Sequence, residues 1–284
     1  MKRIFLAGFF FMCLFIKNIM AQEIFYGHDK TVTRAEVAKM ISFIYGDKKN
    51  ILEAYKTREI TFVDSDINNW FDKYLNFVVK KKIMAGVDKN KFEPEKYLNL
   101  SQAQILLDKI NPENKIKIKI DEVNKNKFIS YSLWVKLFLD LISDLDIKNI
   151  KQKEIISLAT YKQNKEDILK DFLVSDKNYF CYEGIDFDFY NKKINVLLCG
   201  HEIMALLSYD DEFDVKFKIL DVKDNRICVK NDLLKIYFLI DTVNLDKNKI
   251  KIGESYILKI KCGKIIDITE SNNLDNRKKN QNQT

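Results

Sequence analysis

The residues best suited to chemistry lie in one decapeptide, Thr-Val-Thr-Arg-Ala-Glu-Val-Ala-Lys-Met, residues 31–40. Thr33 followed three residues later by Glu36 forms a capping box: the hydroxyl accepts from a first-turn N–H, and the carboxylate reaches back to the cap's own N–H. Arg34 follows the cap, at the end of a helix where the dipole favours anions over cations. Two roles are open to it. It is solvated or paired with Glu36, or it joins the free helix N–H groups in holding an anion such as a carboxylate. Other reactive side chains promise less. The histidines are His28 and His201; the latter follows a hairpin glycine with no second histidine nearby, which suits solvation better than zinc. Asp186 and Asp188 alternate in a strand-like stretch, where edge or turn positions suit them better than an acid-base pair. There is no glycine-rich phosphate loop or nucleophile elbow. No catalytic residue, metal site or cofactor is assigned.

The element that presents Arg34 is an amphipathic helix, with Val37, Met40, Ile41 and Ile44 as its core stripe and Gly46 at its end. Residues Tyr97 to Ile110 restate it, aligning Ser101 with Thr33, Gln102 with Arg34 and Gln104 with Glu36. A weaker third copy spans Phe128 to Ile142, with Ser130 as cap and Tyr131 in the arginine's place. Between the first two copies, Asp66 or Asn68 caps a helix bearing Trp70, Tyr74, Phe77 and Val78, and Gly86 and Pro94 mark turns. Residues 115–123 alternate like a strand.

From Tyr179 the period changes to two, with turns at Cys199-Gly200, Asp224-Asn225 and Cys262-Gly263. The two Cys-Gly hairpins are alike in sequence. The fold class is therefore α+β, a mostly helical N-terminal part followed by a small all-β domain. The expected organisation is a signal peptide over 1–21, a helical domain over 22–150, a linker over 151–178, the β domain over 179–270 and a polar, disordered tail over 271–284. Lys2 and Arg3, a 13-residue apolar run from Ile4 to Ile16 and Ala21 carry the signal-peptide reading. Without that segment the formal charge of +7 falls by three to +4, too slight an excess to suggest nucleic acid. Cys181, Cys199, Cys228 and Cys262 are spaced too widely for zinc; buried thiols or one or two disulfides both fit, and strand alternation favours thiols.

The order Phe62-x-Asp64, Trp70, Ile83, Gly86, Phe92 and Pro94, together with Thr33-Arg34-Ala35-Glu36, resembles the S-layer homology module of bacterial envelope proteins. The resemblance covers roughly residues 31–110. It implies a pseudo-threefold bundle whose helix starts bind a cell wall polysaccharide, an acidic secondary polymer, or else peptidoglycan. The residues it assigns to that ligand are Thr33, Arg34, Glu36 and Gln102; Phe62, Asp64, Trp70, Gly86, Phe92 and Pro94 are structural. It further implies a secreted, non-enzymatic protein of the bacterial cell wall or extracellular surface. Gln102 and Tyr131 stand where further arginines would be, which leaves one intact groove and two eroded ones and a purely scaffolding use of the module as the alternative; separately, self-association of the repeats between chains is expected to complete a three-module bundle. A second resemblance, of the β segment to the non-catalytic region of stage II sporulation protein D / amidase-enhancer proteins, implies an alternative: a truncated N-terminal half, or a regulator, of a peptidoglycan-lytic enzyme.

Overall fold

The computed structural model describes residues 30–57, 62–113, 116–165, 168–175, 178–223, 225–230, 235–240 and 250–271. The expected signal peptide, His28 and all of the tail beyond Ser271 lie outside them. Helices come first: α1 (Arg34–Tyr45), α2 (Lys48–Lys56), α3 (Asp72–Lys80), α4 (Leu100–Ile110) and α5 (Tyr131–Asp144). Two layers of strands follow. Among the described residues no helix is long and apolar enough to cross a membrane.

Three helices start from one hydrogen-bonded ring. Val32 N donates to Ile129 O (3.1 Å), Ile129 N to Leu98 O (2.9 Å) and Leu98 N to Val32 O (3.1 Å), and all three side chains are fully buried. The next residues are tied the same way: Arg34 N to Lys96 O, Leu100 N to Lys127 O and Tyr131 N to Lys30 O. The ring corrects the repeat alignment. The α4 cap is Asn99, in a full capping box with Gln102, so Gln102 matches Glu36, while Leu100 and Tyr131 take the arginine's place. Asparagine caps as well as serine, and this register puts Leu98 where the ring must bury an apolar side chain. The threefold arrangement expected from association between chains thus closes inside one chain.

Arg34 points inward and is only 7% exposed. Its Nε donates to Phe92 O and its Nη2 to Ala85 O, both at 2.9 Å, and the guanidinium lies 4.5 Å from the centre of the Phe92 ring. Burial lowers its pKa, against the opposing pull of Glu93 and Asp64. Asp64 grips the same loop, accepting from Phe92 N (3.0 Å) and Glu93 N (2.7 Å). Phe62 meets Phe92 edge-on at 5.4 Å. Gly86 is needed where the loop doubles back, since a Cβ there would sit 2.5 Å from Lys91 O. Pro94 O accepts from Ala35 N.

Several expectations change. α1 is buried from Arg34 to Phe43 rather than along one stripe, because α3 packs on one side and a β-sheet on another. α3 begins after Trp70, with no side-chain cap; Asp66 instead accepts from Asn68 N in a turn. The described residues of 115–123 form no strand: Ile118 N and Ile116 O are satisfied by the Gln104 side chain. α2, held by the Asp47–Asn50 capping box, had no counterpart in the sequence reading.

The expected linker is strand. β1 (Ile150–Ser157), β2 (Ala159–Lys165) and β3 (Ile168–Val174) precede β4 (Tyr179–Tyr182), β5 (Lys192–Cys199) and β6 (Glu202–Asp210). In β1 the exposed run Lys151 to Glu154 lies between buried Ile150 and Ile155, so that the strand's polar stretch reads as linker. The sheet order is β1-β5-β6-β4-β3-β2, and β1 and β2 are consecutive, parted only by Leu158. β7 (Glu212–Lys223), β8 (Arg226–Lys230), β9 (Lys235–Ile240), β10 (Ser255–Lys261) and β11 (Lys264–Glu270) close a barrel in the order β10-β11-β9-β8-β7. Taking β1 and β2 as one bent strand, both units share one plan. The first strand pairs with the second and fourth, the fourth with the fifth, and the fifth runs parallel to the third. This is the plan of the OB-fold, a five-stranded Greek-key barrel. The two similar Cys-Gly hairpins are the same hairpin of two tandem barrels. Cys181, Cys199 and Cys228 are buried free thiols, and Cys262 is free and exposed.

The helices and the first barrel are locked by buried charge. Lys39, 2% exposed, donates to Glu183 O (2.5 Å) and Ile203 O (2.8 Å). Glu183 takes Lys73 Nζ at 2.7 Å, Tyr74 Oη at 2.9 Å and Lys48 Nζ at 3.7 Å; Lys48 also pairs with Glu202 at 2.7 Å. Burial works against the Glu183 carboxylate, but Lys48, Lys73 and Lys39 together outweigh it and hold its pKa down to about 2. Burial dominates at Lys39, whose pKa falls to about 8 despite Glu183 and Glu202.

Two outcomes are expected. Glu183→Gln strands buried ammonium groups and costs about 3–5 kcal/mol of unfolding free energy in urea titrations. Since the folded pKa lies below the ordinary carboxylate value of 4.5, that carboxylate's stabilisation is complete above pH 4.5 and fades toward pH 2, so the gap between wild type and variant narrows over this range. Arg34→Ala leaves the buried Phe92 carbonyl unpaired and the partly buried Ala85 carbonyl to water, and costs about 2 kcal/mol, with faster amide exchange at Ala85 to Glu93 as its local signature.

Candidate functional site

Where the α1 start meets the first barrel, a groove of about 560 Å³ opens. One wall comes from the ring and the loop before α4: Lys30, Thr31, Thr33 and Glu36, then Glu95 and Tyr97. The other comes from Tyr182 and residues 184–187, which follow β4, and Trp70 belongs to the same lining. The strand-like stretch expected around Asp186 and Asp188 is not strand: β4 ends at Tyr182. Gly184, at φ +66°, lies against the Trp70 indole, where a Cβ would be 2.3 Å from the ring. No side chain fits there, so the tryptophan and the glycine dock the loop onto the helices.

Local chemistry fixes the polar groups. Glu36 Oε2 accepts from Thr33 N (2.9 Å) and Thr33 Oγ1 (3.1 Å), and Glu36 Oε1 takes Lys30 Nζ at 2.7 Å. The capping box therefore also aims a carboxylate and a hydroxyl at the groove. Tyr97 is 45% exposed and meets Phe128 edge-on at 5.5 Å. Phe187 and Tyr209 are 4.8 Å apart. The groove so combines aromatic faces with three carboxylates, those of Glu36, Glu95 and Asp186, and one ammonium, that of Lys30.

Of the residues the sequence assigned to a ligand, Thr33 and Glu36 are brought to this groove and Arg34 and Gln102 are not. Arg34 is spent on the Ala85 and Phe92 carbonyls, and Gln102 on the Asn99 cap, whose N–H its Oε1 accepts at 3.2 Å. Trp70 lines the groove, whereas Phe62, Asp64, Gly86, Phe92 and Pro94 are not in its lining. Sequence reasoning missed Tyr97, Glu95 and the Gly184–Phe187 loop. Tyr97 beside the second cap was the available signal; nothing local marks the loop as the other wall. His201 lies at a hairpin, its Nδ1 2.9 Å from Tyr179 O. Asp188 accepts from Tyr190 N in a turn.

Comparison with known proteins gives one family match: residues 62–103 fit the profile of the S-layer homology domain. No curated protein matches. A solved structure titled "Crystal structure of the tetrameric p202 HIN2" is similar at 14% identity over 38% of this chain and 81% of that one, with a TM-score of 0.15, too low to carry any argument. S-layer homology domains are non-catalytic modules that associate with the bacterial cell surface by binding secondary wall polymers or peptidoglycan. The matched segment holds the Asp64 grip, Trp70, the Gly86 turn, the Phe92–Pro94 loop and the start of α4, so that the loop clamped by Arg34 and the Trp70, Glu95 and Tyr97 part of the groove lining fall in one unit: residues 62–103 of this chain are similar to an S-layer homology domain.

Proposed function

We propose that the protein is an exported, non-catalytic accessory of the bacterial cell wall that docks onto wall glycan through the groove between α1 and the first barrel. The observation that carries this reading is the lining itself. A cleft of about 560 Å³ has the size and mixed aromatic and polar lining of a small-ligand site. Exposed Tyr97 offers a flat apolar face to a sugar ring, and Thr33, Glu36 and Glu95 offer fixed partners for its hydroxyls. Charge narrows the ligand. Three carboxylates against one ammonium repel a polyanion, so the groove suits neutral or amine-bearing sugars, as in a peptidoglycan backbone, better than an acidic secondary polymer. Arg34 serves this site as a positioning residue, by holding the loop that leads to Glu95 and Tyr97.

The test is retention of the chain from residue 22 on purified sacculi, before and after extraction of their secondary polymers. Tyr97→Ala and Glu95→Gln, both at exposed positions, are expected to lower retention about tenfold each, as for a well-packed contact worth roughly 1.4 kcal/mol, with melting unchanged. Retention should survive extraction of the acidic polymer. Retention on the extracted sacculi equal to wild type in both variants would dismiss the groove as the docking site.

A further inference from the structure

The second barrel exposes a face that the groove does not use. On the outer side of β7, β8 and β9 the strand register sets Lys218, Lys230 and Lys235 in one row. Lys223, Arg226 and Leu239 form a parallel row nearer the other end of the strands. The alternating residues Ile227, Val229, Ile236 and Phe238 fill the barrel core, which forces all five basic side chains to the same side. Strand spacing of ~5 Å and a two-residue repeat of ~7 Å place them within a patch of about 10 by 13 Å.

This arrangement costs the barrel something. Like charges directly opposite across strands are destabilising, yet three lysines share one row. Among the described residues only Lys223 of the five has an ion pair, to Asp221 at 3.4 Å. The β10 side of the same barrel is different: Lys259 and Lys261 both pair with Glu212, one on each carboxylate oxygen, at 2.8 and 2.9 Å. Between the two basic rows lies Tyr237, 60% exposed, beside a cleft of about 370 Å³ lined also by Arg226, Lys223 and the one carboxylate of the patch, Asp221, which Lys223 pairs. β8 and β9 are the second and third strands of the barrel, and in this fold that face is the one on which chain-like ligands run.

We propose that this face binds an anionic polysaccharide, whose repeated carboxylate or phosphate groups meet Lys218, Lys230, Lys235 and Arg226 while a sugar ring packs on Tyr237. The charge argument stands apart from the groove; only the choice of a wall polymer leans on the cell-surface reading above. Against single-stranded nucleic acid stands the single exposed ring, where base stacking calls for aromatic side chains in series.

The experiment titrates the chain from residue 22 with polygalacturonate, with neutral dextran and with single-stranded DNA of about 12 nucleotides. Polygalacturonate is expected to bind, dextran not, and the affinity to fall about tenfold between 50 and 200 mM salt as counterions are released. The double variant Lys230→Glu, Lys235→Glu should weaken binding about tenfold or more, and Tyr237→Ala about threefold. Glu95→Gln in the groove should leave this affinity unchanged, so that failure of the two sites is told apart. Absence of polygalacturonate binding, or binding indifferent to the double variant, would overturn the proposal. Tighter binding of the DNA, lost in the same double variant, would overturn the polysaccharide and hand the face to nucleic acid.

Discussion

The groove depends on one buried carboxylate, that of Glu183. Lys39, Lys48 and Lys73 come from three different helices and converge on the residue that precedes Gly184. Removed from water singly, each ammonium would be costly; here Lys73 and Lys48 share the carboxylates of Glu183 and Glu202, and Lys39 is held by the backbone carbonyls of Glu183 and Ile203. The geometry of that cluster sets where the loop after β4 meets Trp70, and so sets the width of the groove. A hydrophobic contact of equal area would join helices and barrel without fixing the loop so closely, because dispersion is non-directional and these hydrogen bonds are not.

The helical part is organised by a second constraint, the ring of Val32, Leu98 and Ile129. Each lead-in segment gives one backbone N–H and takes one, so three helix starts satisfy each other with no strand of ordinary length. Arg34 and Asp64 extend the order outward by clamping the loop of residues 85–93 from two sides. Arg34 also illustrates how a guanidinium settles an unfavourable position. Next to a helix N-terminus it gains nothing from the dipole, but two backbone carbonyls and an aromatic face replace the water it loses.

Surface charge then separates the two faces proposed to bind. The groove carries carboxylates on an aromatic floor, and the second barrel carries a cluster of bases on a sheet, of which Lys223 alone has an ion pair among the described residues. A protein bearing both would meet a wall polymer network at two chemically distinct places, and neither face competes with the other for ligand.

Much of the local structure was legible in the sequence. The Thr33–Glu36 box, the Ser130 cap, the residue types of the S-layer homology pattern and the period-two strands beyond Tyr179 follow from interactions spanning a few residues, and those are what residue spacing encodes. The register of the second repeat was not, because Asn99 with Gln102 and Ser101 with Gln104 satisfy a helix start equally well, and only the need to bury Leu98 in the ring chooses between them. The strands of 150–174 were hidden for a related reason: their polar composition reads as linker until β5 and β4 supply the edges they pair with. The direction of Arg34 was beyond reach as well, since its partners lie 58 and 51 residues away, and the Lys39 contact to Glu183 spans 144. The sequence by itself determined which helices start where a cap permits and which segments favour strand; the tertiary structure decided which charged groups are buried, which face solvent and where two barrels and a bundle leave a groove, because desolvation is decided only when distant segments meet.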